Sequence, residues 1–247
     1  MLPSGIATRM PDETNQKEEN PMKQHLAHAL AATLLAVLVT GCTSTPPSID
    51  SSPSAEVTFD GLNEVLNSSA DKAWARPGMD LSGYSKIMLR GAGIEYRPGG
   101  ESGRTYMARS RGGPYEVTEE QKARFEQLVS EAFREEMAQS ERFEIVDEPG
   151  PDVLLIHGAI LDVVSYAPPD DRPGRTEVYL SSVGEATLVL EIRDSITNAI
   201  MARAIDRDAA ESSTMFNSNR VTNTAEVRRL VKGWARALRE GLEAFAN

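Results

Sequence analysis

Hydrophobic residues fall at two spacings along this chain, and each change of spacing marks an element. From Lys86 to Tyr96 apolar and polar positions alternate weakly, which predicts a strand. Phe125, Leu128, Val129, Ala132, Phe133 and Met137 then recur every three or four residues. Thr118 and Gln121 have the capping-box spacing, so a helix is predicted to open after Thr118. Strand patterning returns at Phe143 to Val146, Val153 to Val164 and Val178 to Arg193. In the last of these Ala186, Leu188, Leu190 and Ile192 alternate with Glu185, Thr187, Glu191 and Arg193, the pattern of a sheet covered on one side. "DSITNA" turns the chain into Ile200 to Asp206, a hairpin partner. A final helix is predicted from near Asn223, with Glu226 at capping-box spacing and Val227, Leu230, Val231, Trp234, Leu238, Leu242 and Phe245 on one face. The order β-α-β-β-β-β-α predicts an α+β domain: a mostly antiparallel sheet of about five strands with two helices packed on one face.

One apolar run, Ala29 to Val39, belongs to neither pattern. It follows Met22 and Lys23 and leads through small residues to Cys42, the chain's only cysteine. A positive start, a short apolar stretch and small residues have the order of a secretory signal, and the run is shorter than the ~20 residues a spanning helix needs. Val39, Thr40, Gly41 and Cys42 resemble the bacterial lipobox. That resemblance implies a signal peptide over 22–41, removed before Cys42, with the sulfur carrying diacylglycerol and the new amine acylated. Thr43 stands where an inner-membrane retention signal carries aspartate. The implied destination is the periplasmic face of the outer membrane, with the lipid on Cys42 as the membrane contact. Each buried methylene contributes about 0.8 kcal/mol, so two or three acyl chains anchor stably where one does not. Residues 1–21 are polar and acidic and fit no signal; they read as an extension from an early start codon, or as a long n-region. Residues 42–57, rich in Ser, Thr and Pro, read as a tether, and 58–247 as a single domain.

Charge narrows the choice of partner. Lys and Arg total 26 against 37 Asp and Glu, a net charge of −11. Nucleic acid, which needs clustered Lys and Arg for its phosphates, is not expected as a partner. A lone cysteine forms no internal disulfide, and after the signal only His157 remains among the histidines, so neither a metal nor another cofactor is expected.

Candidate chemistry is sparse. "RGAGIEY" supplies Gly91 and Gly93, two glycines of a dinucleotide fingerprint, but the third position is Tyr96 and no helix opens there; a glycine kink in a strand is the better reading. His157 sits in "VLLIHGAIL" with Asp162 five residues on, an odd offset that assigns the two to opposite faces, so it reads as a strand histidine with a local hydrogen bond. The pairs Asp147/Glu148, Asp170/Asp171 and Asp206/Asp208 fall at strand ends and in turns. No residue is assigned a catalytic role. The loop from Gly99 to Tyr115 offers more: Arg97, Arg104, Arg109 and Arg111 lie among Tyr96, Tyr106 and Tyr115. These are residue types enriched at binding hot spots, so the group is a candidate partner contact beside the reading as a solvated loop. Arg228, Arg229, Lys232, Arg236 and Arg239 lie on the polar side of the last helix and read as a solvated face.

"FDGL" at 59–62, "DKAWARPGMDLSGYSKIML" at 71–89, "FREEM" at 133–137, "DEPGPDVL" at 147–154, "GEATLVLEIRDSITNAIMARAIDR" at 184–207 and "WARALREGL" at 234–242 together resemble a family of uncharacterised proteobacterial lipoproteins, domain of unknown function thirty-three thirteen. The resemblance brings no catalytic residues. The expectation is an outer-membrane lipoprotein whose periplasmic domain acts by binding an envelope protein or glycan and is not an enzyme. A carboxylate-based hydrolase would instead need a concave site where two carboxylates converge, and a carrier of a small ligand or lipid would need an apolar cavity open to solvent.

Overall fold

The computed structural model of the chain describes residues 45–98, 114–168 and 177–246. They form β1 (Ser48–Ile49), β2 (Asn63–Leu66), β3 (Lys72–Ala75), β4 (Lys86–Tyr96), α1 (Glu119–Met137), β5 (Glu144–Ile145), β6 (Val153–Ser165), β7 (Tyr179–Asp194), β8 (Ile200–Asn217) and α2 (Arg220–Ala246). The strands join in one sheet of order β1-β2-β3-β8-β7-β6-β4-β5. β4 runs parallel to β5 and β6, and every other pairing is antiparallel.

The domain is α+β, but the expected five-stranded, mostly antiparallel sheet is corrected to eight strands of mixed direction. Two causes account for the difference. β1, β2 and β3 hold two to four residues each, too few to show alternation, and they become strands by pairing with distant chain. Lys72 to Ala75 pair with Ala202 to Ile205. Ser48 and Ile49, inside the Ser/Thr/Pro-rich segment, pair with Leu66 and Val65. The parallel register of β4 and β6 follows from the helix between them, since a tight turn joins only antiparallel strands. β8 also runs on to Asn217, past Asp206, because β7 pairs with it out to Tyr179.

α1 and α2 cover one face of this sheet. Leu128, Phe133 and Met137 of α1 and Val231, Trp234 and Leu242 of α2 share one buried cluster with Ile156 and Ile160 of β6 and Leu188 and Leu190 of β7. Thr118 caps α1: its Oγ1 accepts from the Gln121 amide at 3.3 Å, while Gln121 Oε1 accepts from the Thr118 amide at 2.8 Å. α2 opens three residues before the expected start because Asn219 Oδ1 accepts from the amides of Val221 and Thr222. Asn223 bonds to Ser218 instead, and Glu226 is buried beside Arg229.

The helices are tied to each other by charge. Glu136, only 2% exposed, contacts Arg236 at 3.4 Å and Arg239 at 3.3 Å. Arg228 reaches Glu131 and Glu135, and Lys232 reaches Glu135 at 2.9 Å. The basic side of α2 is therefore matched to an acidic side of α1. A solvated face had been expected there, because the sequence does not show that the two helices lie side by side.

Gly184 marks the closest backbone approach: a Cβ there would stand 2.2 Å from the Val164 carbonyl oxygen. A Cβ at Gly233, in α2, meets nothing within 4 Å. Gly184→Ala should therefore lower stability in urea unfolding by about 2–4 kcal/mol, as backbone overpacking does. Gly233→Ala should raise it by up to about 1 kcal/mol through helix propensity.

Candidate functional site

The sheet face away from the helices carries rows of charge. In register across five strands, Arg90, His157, Glu191, Arg203 and Trp74 share one row. Arg203 joins two carboxylates there, reaching Asp60 at 2.8 Å and Glu191 at 3.0 Å. Arg193 takes the other side of Glu191. Burial pushes the Glu191 carboxyl up, but Arg193 and Arg203 outweigh it and hold it below the ordinary range. The Thr58 hydroxyl and then Arg203 lower Asp60. His157 lies between Arg90 and Glu191 in this lattice.

A second lattice holds Arg97, the described member of the candidate arginine loop. Its Nε donates to Asp162 Oδ1 at 2.6 Å, and Arg207 joins Asp162 to Glu185. Arg97 chiefly lowers the Asp162 carboxyl. The expectation that Asp162 and His157 face opposite ways is corrected: Asp162 has φ +57° and β6 changes register between Leu161 and Val164, which turns Asp162 toward Arg207 on the open face. Arg97 is therefore engaged within the sheet. Arg104, Tyr106, Arg109 and Arg111 lie outside the described residues, as do Val39, Thr40, Gly41, Cys42 and the Asp170/Asp171 pair. The other acidic pairs have structural partners. Asp206 accepts from the Trp234 Nε1–H at 2.8 Å and from the Asp71 amide, and Asp147 lies 3.8 Å from Arg134.

Among the described residues no three His, Asp or Glu side chains are placed to share a metal ion, and no helix is long and apolar enough to cross a membrane. Asp60, Asp80, Glu135, Asp152, Asp162, Glu191 and Asp194 are each held below the ordinary carboxylate range by an arginine, a lysine, a hydroxyl or a turn amide.

The candidate site lies at the other side of the sheet, where β4 meets α1. β4 is eleven residues long, yet β5 pairs only with its Lys86 and Ile87. From Met88 to Tyr96 its outer edge has no strand beside it among the described residues, and Arg90 through Gly93 are exposed. Between this edge and α1 is a groove of about 480 Å³. Its cause is a register position: Gly91 pairs with Gly158, so two neighbouring strands offer no side chain beneath α1. Leu89 and Ile156 close one end of that gap, Ile94 and Ile160 the other, and Val129, Ser130 and Phe133 line the helix side. Arg134 and Glu126 mark opposite ends. The kink expected at the glycines is present as a bulge between Gly91 and Gly93, with Gly93 at φ +120°. Their role as a floor was not visible in the sequence, because Gly158 joins Gly91 only through the pairing of strands some sixty residues apart.

Two further hollows accompany it. One of about 120 Å³ lies between α2 and β3/β8, lined by small apolar residues such as Ala73, Ala204 and Ala237, and is below the ~300 Å³ at which ligand pockets begin. Another, of about 360 Å³, opens between the first halves of α1 and α2 beside Tyr96. Burial, then Glu126 and Glu119, push the Tyr96 hydroxyl up to about 12, so it stays protonated; its ring packs edge-on against Phe125 at 6.4 Å.

The lowered carboxyls fix a pH dependence. Asp60, Asp162 and Glu191 release protons more readily folded than unfolded, so their contribution is present above their unfolded values near 3.8 and 4.5 and is lost as pH falls through the lower folded ones. The urea midpoint should be flat from about pH 7 to 5 and drop below about pH 4.5. In Arg203→Ala that drop should be shallower, because Asp60 and Glu191 return toward their ordinary values.

Comparison with known proteins adds a family and little else. No curated protein matches. Among solved structures, PelC from Paraburkholderia phytofirmans, a dodecamer, is 9% identical with TM-score 0.32, over 67% of this chain and 96% of that one. Protein XCC0632 from Xanthomonas campestris is 13% identical with TM-score 0.38, over 67% and 86%. The hypothetical protein CT253 from Chlamydia trachomatis is 10% identical with TM-score 0.35, over 64% and 98%. Likeness of this degree says nothing of function. A family model matches residues 51–238, which takes in all of β2 to β8, the groove and most of α2, and the chain belongs to that family, described as "Protein of unknown function (DUF3313)".

Proposed function

We propose that this protein is an outer-membrane lipoprotein, anchored through acylated Cys42, whose periplasmic domain works by binding a partner in the cell envelope. The observation that carries the binding half is the edge of β4, which no strand covers among the described residues, beside its glycine-floored groove. An exposed strand edge presents a row of backbone donors and acceptors ready for another chain. The charged groups of the open face, by contrast, are engaged with one another. The anchor rests on the lipobox-like Val39 to Cys42. Cys42 and β1 are six residues apart in sequence, a reach of at most about 20 Å, so an anchored domain would work close to its membrane.

Two measurements in intact cells test the two halves. Wild-type protein should float with outer-membrane vesicles and Cys42→Ser should not; flotation of Cys42→Ser would remove the anchor. A photo-crosslinking residue at Ala92, on the β4 edge, should give a discrete adduct that the same residue at exposed Met215 of β8 does not. Identical adducts from both positions, or none from Ala92, would remove the binding site from this edge.

A further inference from the structure

The groove has a shape that selects its occupant. We infer that β4 accepts an extended peptide segment of a partner by strand addition, with one bulky apolar side chain over the Gly91/Gly158 floor and an acidic side chain two positions away at Arg134. This inference rests on the binding reading above and names the chemistry of its partner.

Strand addition requires an unpaired edge, and among the described residues β4 offers one from Met88 onward. Side chains of an added strand alternate between the two faces of the sheet, so every second one turns toward α1. The missing side chains at Gly91 and Gly158 leave room on that face for one large group, against Val129 and Phe133. The next position on the same face is about 6.6 Å along a strand, and Ser130 to Arg134 is one helical turn, about 6 Å along α1. Arg134 is 57% exposed, and among the described residues its ion-pair partner is Asp147, at 3.8 Å. It is thus available to a carboxylate brought to that end. Glu126, at the opposite end, disfavours the same carboxylate there.

The bulge decides between a short peptide and a second copy of the chain. Gly93 at φ +120° and the register shift beside it interrupt the ladder, which prevents two β4 edges from zipping along their full length. A segment that needs only the stretch from Met88 to Gly91, with its pocket, meets no such break.

The test uses the full lipidated chain in detergent micelles and a library of random decapeptides. Selection should enrich peptides with Asp or Glu two residues from a Leu, Ile, Phe or Trp. Ser130→Trp, an exposed helix position that fills the groove, should weaken a selected peptide by about tenfold or more while leaving the unfolding midpoint unchanged. Arg134→Glu should exchange the preference for Asp and Glu at that position for Lys and Arg. Bound peptide should slow hydrogen exchange at amides of Met88 to Ile94. No enrichment, an enriched pattern indifferent to both substitutions, or unchanged exchange along β4 would each overturn the inference. A specific Ala92 adduct in cells without peptide enrichment would leave the envelope-binding reading standing and remove only the peptide.

Discussion

Two parallel strands cannot be joined by a tight turn, and that constraint organises this domain. The chain leaves β4 at one end of the sheet and must return to the other end before β6 can run in the same direction, so α1 is laid across the face between them. Once α1 is there, the apolar stripe from Leu128 to Met137 has a surface to rest on, and α2 is drawn alongside by the remaining exposed core. β4 is left near the margin, with two residues of β5 for company. The groove, the exposed edge and the position of Arg134 all follow from this one crossover.

An acidic chain then needs its charge placed with care. It brings the acids of α1 to the bases of α2 and arranges the open sheet face so that arginines stand between carboxylates. Exposed ion pairs contribute little individually, typically about 0–1 kcal/mol. Arg203 is a different case: its side chain is 16% exposed and it joins Asp60, in the turn before β2, to Glu191 in β7. It fastens the short N-terminal strands to the long central ones through charge as well as through the β3/β8 ladder. Leaving one of its partners unpaired in that setting costs more than the pair itself supplies.

What could be read in the sequence was what is local. The β4 strand, the Thr118 cap with its reciprocal bonds, and the apolar stripe of α1 depend on residues within a few positions of one another, and their patterns were visible. What could not be read was contact between distant segments. "KAWA" is a strand because β8 lies beside it, and Asp162 turns to the open face because a bulge reverses the parity of β6. The groove was partly legible: Gly91 and Gly93 stood out as a kink, while Gly158 passed as an unremarked residue beside a histidine. Its meaning lies in the register that sets it next to Gly91. The arginine loop drew attention by composition alone, and its described member, Arg97, is spent on Asp162.

The pairing of β3 with β8 has a consequence for how the chain is made. Asp71 and Asp206, which bond across that junction, are 135 residues apart. β1, β2 and β3 leave the ribosome first, yet the strand that receives them is among the last to appear. At the usual 5–20 residues per second the interval is on the order of ten seconds, during which Leu62 and Ala75, fully buried in the finished sheet, have nothing to be buried against. The first strands of this sheet therefore complete their pairing only once β8 is there to receive them.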